Sequence, residues 1–237
     1  MPPRKRTAAV PTLSSEFGDA DLGDARLTRR LSSLADRLAA RPAESFPKAL
    51  DGAELEAAYR FFGNDQVTPE AILAPHFRQS ARRAAALPRV VVAHDTTASE
   101  FGGSAKRQGL GHLIRPSAQG FFGHFSLAMS ADGARAPVGL LALETVFRLK
   151  KSIGQKLWTP DQSLGESKRW LRAVEAVDER LGGQVQAIHV ADREGDKYEL
   201  LAGCPTLSDL SSSDHFRIVA SRTKIWGVCA RLLVQPR

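Results

Sequence analysis

The sequence predicts an α/β protein in which a small helical domain precedes a domain built on a mixed β-sheet. Up to about residue 87, apolar residues recur at the three- and four-residue spacing of amphipathic helices. Beyond that point, five short apolar runs have the length and composition of strands. One amphipathic helical segment separates the third run from the fourth, and turn residues bound the others.

The first long helix is predicted over residues 21–41. Asp21 or Asp24 can cap its start, and Pro42 ends it because proline has no backbone N–H to donate. Four leucines share one face of this helix: Leu27, Leu31, Leu34 and Leu38. They predict that this face packs against a core.

Two further helices follow. Residues 52–63 form the first of them, ended by Gly63-Asn64. Its predicted core face consists of Leu55, Ala58, Tyr59 and Phe62. The next helix begins at Thr68-Pro69-Glu70, where threonine caps, proline occupies the first position and glutamate favours the first turn, and it extends to about residue 86.

The second half predicts the order β-β-β-α-β-α-β. Residues 121–147 form a hairpin around the turn Asp132-Gly133, which makes a mixed sheet the expected arrangement. The predicted elements are strands at 89–95, 121–130, 137–147, 185–192 and 216–221, and helices at 163–181 and 195–202.

Composition excludes several classes of protein. With 237 residues, of which 43% are hydrophobic and 25% charged, the chain is neither disordered nor fibrous. No apolar run approaches the length of a membrane span, so no membrane partner is expected. Cys204 and Cys229 are too few for a disulfide framework or a four-cysteine zinc site, and a reducing cytoplasm fits best.

The chain is basic, with a net charge of +7 and an isoelectric point of about 9.8. This balance permits a polyanionic partner without requiring one. Residues 1–15 are predicted to be a basic flexible arm that carries Arg4, Lys5 and Arg6. Arginines also lie largely off the leucine stripe of the first long helix, among them Arg26, Arg29 and Arg30. Both groups are consistent with a solvated surface or with phosphate contacts.

Two aspartates occupy equivalent positions. Asp95 ends the predicted strand at 89–95, and Asp192 ends the predicted strand at 185–192; each follows an apolar run. If these strands are neighbours, both carboxylates reach one point, and a shared divalent cation would relieve their repulsion. Oxygen ligands favour Mg²⁺ or Mn²⁺ over zinc. The alternative is that each aspartate caps the loop or helix that follows it.

Two histidines accompany these aspartates in the same strands. Adjacent side chains of a strand point to opposite faces, so His94 is predicted to face away from Asp95. His189 lies an odd number of positions before Asp192 and is predicted to face away from it as well. Both are expected in the core or on the back face rather than among metal ligands.

From about residue 16 to about 224, the sequence resembles the DDE transposases of insertion-sequence family four, the group that includes the Tn-five transposase. The resemblance rests on a series of motifs that occur here in the same order as in the family, although each motif alone is weak. They are DLGDARLTRRL (21–31), AAYRFFGNDQVTPEAI (57–72), AHDTT (93–97), GLGHLIRPSAQGFFGHFSLAMS (109–130), PVGLL (137–141), ESKRWL (166–171) and VADRE (190–194).

The resemblance implies an RNase H-like catalytic domain in which Asp95 and Asp192 are the first two metal ligands, with two Mg²⁺ (or Mn²⁺) ions between them. One ion would activate water or a DNA 3′-hydroxyl for attack on a phosphodiester, and the other would stabilise the leaving oxygen. The implied partners are double-stranded transposon-end and target DNA and a second copy of the chain. The implied DNA contacts are Arg4, Lys5, Arg6, Arg26, Arg29, Arg30, Arg222 and Lys224.

The resemblance also sets the expected domains: the arm at 1–15, a helical DNA-binding domain at 16–87 and a partial RNase H-like domain at 88–237. The family's third carboxylate, a glutamate in a Y-x-x-R-x-x-x-E-type helix, has no counterpart after Asp192, and the C-terminal dimerisation region is missing. The expectation is therefore a truncated transposase, inactive alone. The alternatives are a DNA-binding remnant without catalysis and a metal-dependent phosphohydrolase that uses Asp95.

Overall fold

The computed structural model describes residues 13–102, 107–113, 119–132, 134–147, 168–191 and 216–220. Contacts divide the chain into two compact units, Met1–Gln79 and Ser80–Arg237, and the division falls inside a helix. The helices are α1 (Leu13–Phe17), α2 (Ala25–Ala40), α3 (Phe46–Ala49), α4 (Gly52–Phe62), α5 (Pro69–Ala85) and α6 (Arg169–Leu181). The strands are β1 (Arg89–Phe101), β2 (Gly111–His112), β3 (Gln119–Ser130), β4 (Pro137–Val146), β5 (Gln186–Ala191) and β6 (Phe216–Ala220).

The three longer helices of the first unit begin at side-chain caps, although α2 begins at Ala25 rather than at the predicted residue 21. Of the two candidates for α2, Asp24 is the cap, because its carboxylate accepts from the backbone N–H of Arg26. Asp51 and Glu54 form a reciprocal capping box at the start of α4. Thr68 Oγ1 accepts from the N–H of Ala71 at the start of α5. These side chains satisfy backbone donors that have no partner within the helix.

The first unit has its own apolar core, to which α2 contributes the buried Leu31 and Leu34 and α4 contributes the buried Ala58 and Phe61. An ion pair between Arg37 and Glu54, at 2.7 Å, ties α2 to α4 at the edge of this core. The predicted leucine face of α2 is therefore the packed face. The short helices α1 and α3 were not predicted.

The predicted core face of α4 is wrong at two positions. Tyr59 and Phe62 are 59% and 50% exposed, whereas Phe61 is 2% exposed. The buried face follows three-residue steps through Ala58 to Phe61, and Phe62 lies about 100° further round the helix. The rings of Tyr59 and Phe62 instead contact Phe46, at centroid distances of 6.3 and 5.9 Å.

The second unit contains the predicted mixed sheet. The order of the described strands is β2-β3-β1-β5-β6, with β4 also paired to β3. The pairs β1–β3 and β3–β4 are antiparallel, so the predicted hairpin is confirmed. The pairs β1–β5 and β5–β6 are parallel, so a crossover connection brings the chain back to the edge of β1. The short strand β2 was not predicted.

One face of this sheet is covered by α6 and by the C-terminal turns of α5. Buried residues of four strands form the core with α6: Val90, Val92, Ala128, Leu141, Ala187, Val177 and Leu181. As predicted, Trp170, Val174 and Val177 face inward, and Gly182 ends α6 in the left-handed conformation at φ 56°. Residues 163–167 and the predicted helix at 195–202 lie outside the described residues, and the predicted domain limits stay predictions. Within the described part of the chain, no helix combines the length and apolar character needed to cross a bilayer.

Gly139 of β4 lets α5 approach the sheet closely. Its φ is 140°, and a Cβ at this position would overlap Ser80 Oγ.

Gly139→Ala is expected to lower the free energy of unfolding by about 1–3 kcal/mol, because it adds backbone strain to this overlap. Urea denaturation measures the change. Gly102→Ala is the matched control, since a Cβ there meets nothing within 4 Å; equal stability loss in the two variants would contradict this account.

Candidate nucleic-acid interface and metal-ligand site

In the first unit, the predicted DNA-contacting arginines of α2 are exposed but are not equivalent. The guanidinium of Arg26 lies 3.0 Å from the carboxylate of Asp24, in an ion pair at the surface. Hydrogen bonds from Arg26 lower the pKa of Asp24. Arg29 and Arg30 are exposed, and no residue of the described part of the chain forms an ion pair with them. The charge of Arg26 is thus compensated by direct contact, and Asp24 also interacts electrostatically with Arg29.

In the second unit, Asp95 does not end a strand, contrary to the prediction. β1 continues to Phe101, and Asp95 pairs with Phe125 of the antiparallel neighbour β3. The reason is that β3 forms backbone pairs with β1 as far as Phe101. The apolar run at 89–94 gives no sign of this longer pairing. On the other edge of β1, the described pairs with β5 reach Ala93 opposite Val190. Asp95 therefore lies two residues past the last described parallel pair rather than at the end of a strand.

The carboxylate of Asp95 is exposed to solvent. The described residues give it one hydrogen bond, from the backbone N–H of Thr96 to Oδ1 at 2.7 Å. Oxygens of this carboxylate therefore remain available to a ligand. Among the described residues, no three histidine, cysteine, aspartate or glutamate side chains come together as a metal site.

Asp192 lies outside the described residues, as do Arg4, Lys5, Arg6, Arg222 and Lys224. The two aspartates can share a ligand only if the strands that precede them are neighbours, and this requirement is met. β1 and β5 are adjacent and parallel, with Val92 opposite His189 and Ala93 opposite Val190. Asp95 and Asp192 each follow this last pair by two positions in the sequence.

Three histidines lie on the face of the sheet opposite Asp95. His94, His124 and His189 are each at most 2% exposed, and so the prediction that His94 and His189 lie in the core is confirmed. His94 Nε2 is 2.8 Å from His189 Nδ1, and Ser126 Oγ is 3.0 Å from His94 Nδ1. His189 Nε2 in turn lies 3.2 Å from a carboxylate oxygen of Asp178 on α6. Hydrogen bonds thus cross from β3 through β1 and β5 to the helix.

His124 belongs to the same buried group. Its Nδ1 is 2.9 Å from Thr96 Oγ1, and its ring meets the indole of Trp170 edge-on at a centroid distance of 4.5 Å. Sequence reasoning did not single out His124. Its even spacing from Ser126 and Ala128 in the hairpin strand was the available signal, since these three residues share one face.

Burial determines the ionisation of two of these imidazoles. It lowers the pKa of His94 well below its ordinary value, with the neighbouring His189 and His124 acting in the same direction. Burial also lowers the pKa of His124 from 6.5 to about 4, assisted by the charges of Arg169 and Arg172 on α6. Both imidazoles are therefore neutral at pH 7.

Residues 11–67 match a family model described as transposase DNA-binding. The match supports a transposase that binds DNA. It covers α1–α4 together with the α2 arginines, so the exposed cations just described lie within the matched segment. DNA is the partner that the match implies.

The low pKa of His124 predicts acid sensitivity. Between pH 6.5 and 4 the unfolded chain binds a proton at this imidazole that the folded chain does not bind, so stability falls as the pH drops through that window. The loss from His124 is at most about 3 kcal/mol. His124→Asn keeps a polar partner for Thr96 but does not titrate, and is expected to lose less stability than the wild type between pH 7 and 4.

Urea denaturation of both proteins across this pH range makes the comparison. The wild type should show the steeper decline, although both retain the contribution of His94, whose pKa is shifted in the same direction. Parallel declines in the two proteins would show that His124 is not responsible.

Proposed function

We propose that this protein acts in DNA transposition as a member of the insertion-sequence-family-four group of DDE transposases. The match of residues 11–67 to transposase DNA-binding domains is the observation that carries the proposal. In this proposal the first unit binds double-stranded transposon-end DNA. The second unit supplies Asp95 and Asp192 to an active site that, when complete, cleaves and joins phosphodiesters.

The DNA contacts are assigned first to Arg29 and Arg30. Both side chains are exposed, whereas the guanidinium of Arg26 is ion-paired with Asp24. The N-terminal Arg4, Lys5 and Arg6 and the distal Arg222 and Lys224 are proposed to add further contacts. Phosphate contacts of this kind position a protein on DNA and contribute most of its sequence-independent affinity.

The second unit is proposed to be an RNase H-like domain. Its support is the topology: three antiparallel strands, then a helix, then strands parallel to the first and added on its other edge. In open α/β sheets, ligands collect beyond the carboxyl ends of parallel strands. Asp95 lies two residues past Ala93, the last residue of β1 in the described pairing with β5, and in the sequence Asp192 follows its partner Val190 by the same interval.

The donor chemistry of Asp95 fits Mg²⁺ or Mn²⁺, because its exposed carboxylate retains oxygens that accept no hydrogen bond from the described residues. Asp95 and Asp192 are the residues proposed to hold the metal. When bound, the metal would lower the pKa of an attacking water or hydroxyl and stabilise the leaving oxygen. The N–H of Thr96 orients the Asp95 carboxylate, and the pairing of β1 with β3 fixes the backbone that carries it.

The second candidate function is DNA binding without strand cleavage. It is favoured by the position of the family match, which lies wholly within the first unit. A second copy of the chain as partner and a cytoplasmic location stay predictions from the sequence.

The double variant Arg29→Gln/Arg30→Gln is expected to bind duplex DNA about an order of magnitude more weakly. Because each phosphate contact releases counterions, the slope of log affinity against log salt should become shallower by about 1.8. Fluorescence anisotropy with a labelled duplex of mixed sequence, over a series of salt concentrations, measures both quantities.

Asp24→Asn is the matched variant that is expected to raise, rather than lower, the affinity for duplex DNA. Asparagine keeps the capping acceptor of α2 but removes the charge that compensates Arg26, so duplex affinity should rise and its salt slope should steepen. Arg60→Gln is the control, since Arg60 is ion-paired with Glu56 on α4. If all three variants bind like the wild type, α2 does not contact DNA.

Asp95→Asn separates the two candidate functions. A transposase active site predicts Mn²⁺-dependent nicking of plasmid DNA by the wild-type chain and its loss in Asp95→Asn, with DNA affinity unchanged. Gel electrophoresis of supercoiled plasmid reports nicking, and anisotropy reports binding. Duplex binding without nicking by the wild type would leave the DNA-binding candidate.

A further inference from the structure

Three phenylalanine rings lie in a row across one end of strands β1, β3 and β4. The ring of Phe121 is the middle one, with its centroid 6.1 Å from that of Phe101 and 5.6 Å from that of Phe147. The two outer residues are 41% and 45% exposed. We call these three residues the aromatic strip. It presents ring surface to solvent at both of its ends.

The aromatic strip lies on the face of the sheet that carries the Asp95 side chain. Phe121 is opposite Ser99 in the pairing of β3 with β1, and Ser99 follows Asp95 by four residues. Because strand side chains alternate, all three lie on one face. At about 3.3 Å per residue, Phe121 is about 13 Å along the strand from Asp95. Between them this face carries neutral hydroxyl groups, on Thr97 of β1 and Thr145 of β4.

A cation is held at the Phe101 end of the strip. The guanidinium carbon of Arg107 lies 5.8 Å from the centroid of the Phe101 ring. Its Nη1 donates to the carbonyl oxygens of Phe101 and Gly102, at 3.2 and 2.8 Å. The backbone N–H of Arg107 donates to Gln119 Oε1 at 3.0 Å. These neutral acceptors fix the position of the guanidinium and leave its positive charge in place.

The two glutamates of β1 and β4 lie on the opposite face of the sheet. Glu100 directly precedes Phe101, and Glu144 lies three positions before Phe147, so alternation directs both away from the strip. On that face Glu144 forms an ion pair with Arg172 of α6. The strip is therefore accompanied by hydroxyl groups and a cation, and these glutamates do not repel a polyanion from it.

The size of the strip favours a small planar group over a protein surface. A stable protein interface buries about 800 Å² on each partner, whereas the exposed parts of Phe101 and Phe147 amount to about 200 Å². A nucleobase needs only one ring face. Aromatic rings beside a positive charge are the arrangement by which proteins bind unpaired nucleic-acid strands. In a duplex the faces of the bases already cover one another, so only an unpaired strand can use these rings.

We propose that the aromatic strip and Arg107 form a subsite for an unpaired DNA strand. Bases stack on Phe101 and Phe147, Arg107 contacts a phosphate, and the strand runs along this face toward Asp95. At about 3.4 Å per stacked nucleotide, the distance from Asp95 to the strip corresponds to about four nucleotides. This inference rests on the proposed action on DNA. It adds that the DNA beside Asp95 is single-stranded.

Binding of a fluorescein-labelled oligothymidylate to the full chain tests the subsite, because this probe offers only unpaired bases. Phe147→Leu keeps an apolar side chain but removes the ring, so the affinity should fall by about fivefold or more. Phe147→Trp keeps a stacking surface and should bind at least as tightly as the wild type. Fluorescence anisotropy measures the affinities, and circular dichroism confirms that each variant is folded.

The salt dependence of binding separates the rings from the cation. Phe147→Leu removes no phosphate contact, so its slope of log affinity against log salt should equal that of the wild type. Arg107→Gln should make the slope shallower by about 0.7, the value for one phosphate contact on a single strand. Val146→Ala is the matched control. Val146 is adjacent to Phe147 but on the opposite face, so this variant should bind like the wild type.

A mixed-sequence duplex, measured with the same variants, distinguishes this inference from the proposed function. Loss of oligothymidylate affinity in Phe147→Leu with unchanged duplex affinity supports the subsite. The subsite is overturned if Phe147→Leu binds oligothymidylate like the wild type, if Phe147→Trp loses as much affinity, or if the duplex is affected equally. Each of these results leaves the duplex contacts of Arg29 and Arg30 standing. A wild-type chain that binds neither DNA overturns the subsite and the proposed function together.

Discussion

The second unit depends on the unequal pairing of its central strand. β1 pairs with β3 along twelve positions from Val90 to Phe101, but with β5 only from Arg89 to Ala93. The long antiparallel partner keeps β1 extended beyond Ala93, whereas the described pairs with β5 reach only as far as Ala93 opposite Val190. Asp95 is therefore carried within a strand and is exposed to solvent. A carboxylate so placed combines a defined position with access from solvent, the combination that a metal-ligand or substrate-contacting group requires.

Buried polar side chains also connect β1 to β5 on the face of the sheet opposite Asp95. A hydrogen bond between His94 and His189 links the two strands next to the described backbone pair Ala93–Val190. The desolvation of two imidazoles is offset because each has partners at both ring nitrogens, and burial keeps His94 neutral. Satisfied buried networks of this kind specify one arrangement of strands more sharply than apolar contacts do, since a shift in register would leave several polar atoms without partners.

In the first unit, local electrostatics decide which cations of α2 are held in ion pairs. The aspartate that caps α2 also binds Arg26, so one residue stabilises the helix start and reduces the charge of its first turn. Arg37 is used to join α2 to α4 through Glu54. Arg29 and Arg30 are exposed and have no ion pair within the described part of the chain. A sequence count of basic residues on α2 treats all of these arginines alike, whereas the structure distinguishes them by their partners.

The sequence by itself determined whatever depends on neighbours within a few positions: the cap at Thr68, the hairpin, the α/β order and the opposite facing of His94 and Asp95. These follow from the 3.6- and 2-residue periods of helix and strand. Tertiary structure decided the rest. It selected Phe61 over Phe62 for the core of α4, extended β1 past Asp95, and set the register that joins His94 to His189. Such pairings depend on partners distant in the chain, and a one-residue slip would send every side chain of a strand to the other face.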